Sequence, residues 1–497
     1  MIDRTVILRL LDEVESIRKY AISMEQQHES QLALIHENYY LSALNLVHYL
    51  ALRSRDLRPL QAELSSYAIS SQGHSEGYTL YNLHQIEIVL KALAGLPFDE
   101  KIRDIPDFLS SKTLLQLHTK QLFGKEEYPG QTRIMVTLPS VAAEDITMLQ
   151  SMVNAGMQIA RINTAHDDET VWLKMINNLR NICEEQGVGV KIYMDLAGPK
   201  LRTGTIDKPD EPDKKPHILI SKGDTITLTS GTGASDPSLP HQLNCTLDSI
   251  FHDVKKGERI WLDDGKFGGI ITSVNDHEVI IDIDHAPLAG AKLKQEKGIN
   301  LPDTDLHLPS LTDDDIAHLP FIARHADMVG YSFVRRPEDI EQLHHQLDLL
   351  GKPDLGVILK IENKQAFDQL PSLLLTAMKR KSVGLMIARG DLAVEIGFLR
   401  IAEVQEEIMW IAEAAHLPVI WATQVLDTFA KEGRATRAEI SDAVKSVRAE
   451  SVMLNKGPYI AEAIGMLRDI DIRMSAHESK KAKILRSLHV ASAFTNA

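Results

Sequence analysis

The chain has 497 residues, 44% of them hydrophobic and 25% charged, with 69 acidic against 54 basic side chains and a net charge of −15. That length is too great for one small core and predicts two or three domains, the largest with room for a full barrel. The acidic balance gives no general basic field and argues against nucleic acid or an anionic membrane as partner, so any anionic substrate must be held by local positive charge.

Met1 to Tyr20 reads as an amphipathic helix without the apolar core of a signal peptide, because Ile7, Leu10, Leu11, Val14 and Ile17 follow helical spacing. Apolar stripes around 32–52 and 78–93 extend this into a helical N-terminal domain over residues 1–130, with Ser75 and Gly95 as expected caps of the third helix. No reaction centre is evident there, so the region reads as a packing or assembly module, and the string from Ser71 to Gly77 reads as a turn before a helix. No stretch reaches membrane-spanning length. Cys183 and Cys245 lie far apart in no metal-ligand spacing, which suits a reducing cytoplasm.

From Thr132 the pattern changes to short apolar strands alternating with helices. Strands are expected at Ile134 to Leu138, Ile159 to Ala165, Val190 to Leu196, Met328 to Val334, Gly356 to Ile361, Val383 to Ala388, Pro418 to Ala422 and Ser451 to Leu454. Eight such strands predict an α/β fold, a TIM (β/α)8 barrel over residues 131–204 and 297–480. Between its third and fourth strands, residues 205–296 are rich in β-branched alternation and read as an inserted β-barrel-like lid domain, with Asp263 to Lys266 as a hairpin turn. Residues 481–497 are left as a C-terminal tail.

A parallel barrel concentrates chemistry at the C-terminal ends of its strands. Those ends supply Arg161, Asn163 and His166, then Asp195, Lys200 and Arg202, then Lys360 and Glu362, then Arg389 and Asp391, and last Thr423 and Gln424. The period of two sets Lys360 and Glu362 on one face. Glu362 and Asp391 could share a divalent cation with the Lys360 ammonium beside it, a site for phosphate or an enolate. Gly390 and Asp391 open a segment whose free amides suit an anion.

At these residues the chain resembles the pyruvate kinase family. The resemblance rests on Thr132 to Thr137, Met157 to Asn163, Met194 to Gly204, Asp263 to Gly265, Lys297 to Pro302, Leu359 to Asn363, Met386 to Leu392, Ala422 to Gln424 and Thr436 to Glu439. It implies conversion of phosphoenolpyruvate and ADP to pyruvate and ATP in the cytoplasm by a homo-oligomer. Glu362 and Asp391 would hold Mg2+ or Mn2+, Lys360 and Arg161 would be catalytic, and Thr423 would deliver a proton. Arg389, Gly390, Asp391 and Thr423 would bind substrate, and Asn163, His166 and Arg202 would bind nucleotide. Potassium-dependent members carry glutamate, threonine and serine where this chain has Lys200, Leu196 and Ala165. Lys200, with Asp195, is therefore expected to substitute for the monovalent cation, and K+ is expected not to be required. Ala393 stands where the family has glycine, which would strain the anion-binding turn if its φ is positive. The segment from Met453 to Tyr459 replaces a longer loop, and the family's C-terminal regulatory domain is not expected. Two other readings remain open: an impaired relative that binds nucleotide or metabolite as a regulator, and a metal-dependent 2-oxoacid aldolase.

Overall fold

The computed structural model describes residues 3–475 apart from 72, 129, 205, 207–216, 231–240 and 248–249, together with 478–479 and 482–483. Eight of its strands are β1 (Arg133–Thr137), β2 (Ile159–Asn163), β3 (Lys191–Asp195), β12 (Met328–Tyr331), β13 (Gly356–Ile361), β14 (Val383–Ala388), β15 (Val419–Ala422) and β16 (Ser451–Leu454). They close into one all-parallel barrel in the order β1-β16-β15-β14-β13-β12-β3-β2. Alternation explains how the strands can be apolar throughout and still carry chemistry. Val357, Leu359 and Ile361 of β13 point outward into the helical shell, while Ile358 points inward with Met135, Ile159, Tyr193, Met328, Met386 and Ile420. The inward series of β13 then continues to Lys360 and, just past the strand, Glu362.

Between β3 and β12 lie β4 (His217–Ile220), β5 (Thr225–Thr229), β6 (Gln242–Asn244), β7 (Arg259–Leu262), β8 (Phe267–Val274), β9 (Glu278–His285), β10 (Ala291–Lys294) and β11 (Ile299–Asn300). They form a six-stranded sheet, β11-β7-β8-β9-β5-β6, and a pair, β10-β4, around a core of their own that includes Ile226, Leu228, Leu262, Phe267 and Ile281. The expected hairpin turn joins β7 to antiparallel β8, with Asp263, Asp264 and Gly265 all at positive φ (55°, 54° and 82°). The tip of that turn reaches the barrel: a Cβ added at Gly265 would lie 3.3 Å from the Phe398 ring.

The N-terminal region is helical, with long helices at Arg4–Gln27, Tyr40–Arg53, Thr79–Ala94 and Phe108–Phe123. The first buries Ile7, Leu10, Leu11, Val14 and Ile17, the stripe the spacing predicts. Gly95 caps the helix from Thr79 in the left-handed conformation, φ 70°, but Ser75 is not its N-cap. A 3-10 turn, Glu76–Tyr78, intervenes, and the Thr79 amide donates to Asn45 Oδ1 at 2.9 Å instead. Of the expected tail, only residues 482–483 are described, paired with 478–479.

The helix Phe108–Phe123 stops up the N-terminal end of the barrel, with Leu122 and Phe123 in the inward-facing layer. Leu122 fits because β13 and β14 present glycine to it: a Cβ at Gly356 or Gly384 would come within 2.7 or 2.6 Å of its methyl groups. A polar seam joins the N-terminal region to the barrel around this contact. The Val383 amide donates to the Tyr39 hydroxyl at 3.0 Å, Asn45 Nδ2 donates to the Ala414 carbonyl at 2.8 Å, and His118 Nδ1 donates to the His416 carbonyl at 2.7 Å. Leu122→Ala is expected to destabilise the protein by about 2–5 kcal/mol, read from urea unfolding midpoints. A change below about 1 kcal/mol would mean that this helix does not complete the barrel core.

Candidate active site

Alternation along the parallel strands delivers Thr137, Arg161, Asp195 and Lys360 to the inner wall at the C-terminal mouth. They form one buried chain of charge. Arg161 Nε donates to Asp195 Oδ2 at 3.0 Å and Nη1 donates to Thr137 Oγ1 at 3.0 Å. Lys360 Nζ lies 3.2 Å from the same Asp195 oxygen, 3.0 Å from Glu362 Oε1 and 2.7 Å from Ser332 Oγ. The Tyr193 hydroxyl donates to Asp195 Oδ1 at 2.9 Å, and the Phe333 amide donates to Glu362 Oε2 at 2.7 Å. Asp195 is 1% exposed. Burial pushes its carboxyl upward, but the charges of Lys360 and Arg161 outweigh that and hold it below the usual carboxylate range. Burial would likewise lower the Lys360 ammonium, and Asp195 and Glu362 more than reverse this, so Lys360 stays cationic. Glu362 behaves oppositely. Burial raises it, and the neighbouring negative charges of Asp391 and Asp195 add to the rise against the pull of Lys360.

The segment after β3 swings across this chain. The Asp315 carboxylate, which also caps its own helix, accepts from the amides of Ala197 at 3.0 Å and Gly198 at 3.2 Å. Gly198 sits at φ 65° with Phe333 and Ser332 packed where a Cβ would go. The outcome is that Lys200 Nζ meets both Asp391 oxygens, at 2.8 and 2.9 Å. Of the expected pair Lys200 and Asp195, Lys200 is bonded to Asp391, and Asp195 to Arg161 and Lys360.

Asp391 stands in the first turn of the helix Arg389–Ile396, which leaves β14 directly. The strain expected at Ala393 does not arise, because Ala393 lies inside that helix and is absent from the positive-φ residues. Strain is found instead after β15, where Thr423, Gln424 and Leu426 have φ of 67°, 56° and 49°. A β-branched residue with positive φ is a true outlier, costing on the order of 1–3 kcal/mol. Arg389 holds this turn. Its Nε donates to the Ala422 carbonyl at 3.0 Å and its Nη2 to the Thr423 carbonyl, while Asp442 takes Nη1 and Nη2 at 2.6 and 2.8 Å. The Arg389 side chain is thus committed to the protein, leaving the backbone from Arg389 to Asp391 for a ligand. Gly390 keeps the approach to Thr423 open, with its nearest atom 3.7 Å from an added Cβ.

Two cavities flank the charge chain. One, of about 290 Å³, is lined by Lys200, Glu362, Asp391, Asn300, Arg335 and Glu395. The other, of about 270 Å³, is lined by Arg161, Asn163, His166, Thr137, Asn455 and Lys456. The short segment after β16 therefore still reaches the mouth, with Lys456 as a cation that the sequence reading did not single out. Arg202 lines neither cavity; its Nη1 donates to the Glu296 carbonyl at 3.0 Å at the root of the inserted sheet. Tyr193, Ser332, Asp442 and Glu395 were also missed. For Ser332 a signal existed, since it follows β12 at the same mouth.

Glu362 and Asp391 suit a hard divalent cation. Both are carboxylates on one cavity, and their mutual repulsion raises Glu362 in a way that a cation would relieve. Among the described residues no group of three or more His, Cys, Asp or Glu could hold a metal. Two carboxylates alone would leave most positions around such a cation to water and substrate oxygens, a pattern that suits Mg2+.

A family model described as pyruvate kinase, barrel domain, matches residues 130–464. The pyruvate kinases of Staphylococcus saprophyticus and Bacillus licheniformis are each 32% identical to the chain, over 379 and 378 residues. In both cases the match covers 74% of this chain and 61% of the relative, and a pyruvate kinase of Staphylococcus aureus matches to the same extent. The chain thus spans about 61% of the length of these curated relatives. Among the described residues, no helix is long and apolar enough to cross a membrane.

Glu395 provides a test of the mouth's electrostatics. Burial, reinforced by Asp391 and opposed by the amide of Asn300 at 3.0 Å, pushes its carboxyl from 4.5 up to about 7. The folded state then binds this proton more tightly than the unfolded state. Its contribution to stability is whole below the unfolded pKa and is lost as pH rises through about 7. Glu395→Gln should match wild type near pH 5 and become progressively more stable than it towards pH 8, by urea midpoints. Parallel curves would show that Glu395 is ionised throughout.

Proposed function

The chain belongs to the pyruvate kinase family, and we propose that it transfers the phosphoryl group of phosphoenolpyruvate to ADP, giving pyruvate and ATP, with Mg2+ or Mn2+ and without a need for potassium. The observation that carries this reading is the buried chain Arg161, Asp195, Lys360 and Glu362 next to Asp391. Phosphoryl transfer depends mostly on fixed charge and in-line positioning, and the paired side chains supply fixed charge before substrate arrives.

Lys360 and Arg161 would neutralise the transferring group as its bond to the enol oxygen breaks and a bond to the ADP oxygen forms. Glu362 and Asp391 would hold the divalent cation, which supplies further charge stabilisation to the phosphoryl group and the enolate. The substrate carboxylate would take the amides at the start of the helix Arg389–Ile396. Thr423, presented by its strained turn, would guide a proton to the methylene carbon of enolpyruvate. Asn163, His166 and Lys456 would face the nucleotide in the second cavity, with Arg202 at the root of the inserted sheet. That sheet would act as a lid, and its hold on the barrel through Asn300 and Glu395 supports this.

Independence from potassium is supported by Lys200, whose ammonium is bound to Asp391 inside the mouth, 24% exposed, and is not a surface cation on a turn. The same contact motivates the second reading, a relative that binds nucleotide without turnover, because Lys200 must release Asp391 before a metal can be held there. Cys183 and Cys245 are both free thiols, which supports a reducing, cytoplasmic setting. Assembly into a homo-oligomer remains part of the proposal.

A lactate-dehydrogenase-coupled assay of pyruvate formation should give equal rates in potassium and tetramethylammonium salts. Lys360→Ala should lower kcat by about a hundredfold or more, and Lys200→Glu should introduce a potassium requirement. Absence of turnover with ADP still bound would decide for the second reading. Lys456→Ala should raise KM for ADP several-fold with little change in KM for phosphoenolpyruvate; an unchanged KM would remove Lys456 from the nucleotide side.

A further inference from the structure

A cleft of about 560 Å³ lies between the N-terminal helices and the barrel helix Ile401–Ala414, apart from the residues assigned to phosphoryl transfer. Its walls are Tyr49, Arg53, Arg55, Arg58, Trp410 and Arg448, with His74 at the rim. In a chain of net charge −15, the string Arg53-Ser-Arg55-Asp-Leu-Arg58 lends three arginines to the lining of one cleft, where the helix Tyr40–Arg53 ends.

The acidic groups of the cleft are engaged. Asp56 accepts from Arg58 Nε and Nη2 at 2.9 and 2.7 Å, and both Glu406 oxygens meet Arg448 Nη1, at 2.9 and 3.1 Å. Glu76 also has an interaction of its own, and its backbone carbonyl accepts from Asn45. Arg53 and Arg55 are held differently. The Arg53 guanidinium lies 5.1 Å from the Trp410 ring centre and 5.5 Å from that of Tyr49, and its Nη1 donates to the Tyr49 hydroxyl at 2.6 Å. Arg55 lies 4.7 Å from the Tyr20 ring centre. Neither forms an ion pair among the described residues. Stacking on aromatic rings orients a guanidinium plane without consuming its charge, and the donors left beyond the Arg53–Tyr49 bond match the oxygens of a phosphate.

We propose that this cleft is a second anion site, taking a small phosphate monoester through Arg53 and Arg55, with Arg448 and His74 at its edges. Inorganic phosphate, a sugar phosphate and a nucleoside monophosphate share the recognised group. The site is independent of the barrel mouth, because none of its residues lines either cavity there.

The test is isothermal titration of the full chain with inorganic phosphate, glucose 6-phosphate and AMP, alongside Arg53→Gln/Arg55→Gln and Lys360→Ala. Both arginines are exposed, so the double variant should fold. Loss of two charge-assisted contacts should weaken phosphate-monoester binding about tenfold or more, while Lys360→Ala leaves that site intact. Trp410 emission should change on binding, and Trp410→Phe should abolish the optical signal but keep the heat. A preference among the three probes would identify the natural source of the group. Binding unaffected by the arginine changes, binding abolished by Lys360→Ala, or no binding of any probe would overturn the proposal.

Discussion

A single buried carboxylate organises the mouth of this barrel. Removing Asp195 from water costs several kcal/mol unless it is paired and hydrogen-bonded, and the fold meets that cost with Arg161, Lys360 and Tyr193. Each partner is thereby fixed, and fixed partners are what a site built on charge requires. The requirement spreads to the next strand. A Cβ at Gly330 of β12 would lie 1.9 Å from the Tyr193 hydroxyl oxygen and 2.5 Å from Asp195 Oδ1, so only glycine leaves room for the cluster.

What could be read in the sequence follows from the same geometry. Strands buried on both faces stand out as apolar runs, and Gly356–Ile361, Val383–Ala388 and Ser451–Leu454 are found with the expected bounds. Charge at the ends of such runs is equally visible, which is why Lys360, Glu362 and Asp391 could be named together. Pairings between distant segments leave no local trace. That Lys200 would bind Asp391, that Asp442 would fix Arg389, and that Asp315 would hold the loop before Lys200 are facts of three-dimensional closure. Ser75 is a smaller case of the same kind, since Asn45 from another helix takes over the Thr79 amide.

The strained turn at Thr423 and the clamp on it show how rigidity is distributed. One guanidinium satisfies two carbonyls and a carboxylate and lies 4.9 Å from the Trp421 ring centre, so the turn is over-determined from several sides. The inserted sheet is tied down differently, by contacts spread along its root: Arg259 donates to Asp303 at 2.8 Å, Thr304 to Glu258 at 2.6 Å and Asn300 to Glu395 at 3.0 Å.

The position of Leu122 carries a further consequence, for biosynthesis. The helix that ends there leaves the ribosome before any barrel strand, yet the glycines that receive Leu122 belong to β13 and β14. Until those strands emerge the glycine seat of Leu122 is missing and its layer is incomplete, and transiently exposed apolar surface of this kind is what drives aggregation during synthesis. The barrel must close onto a helix that has been waiting for it, which makes late-translated sequence the gatekeeper of early-translated structure.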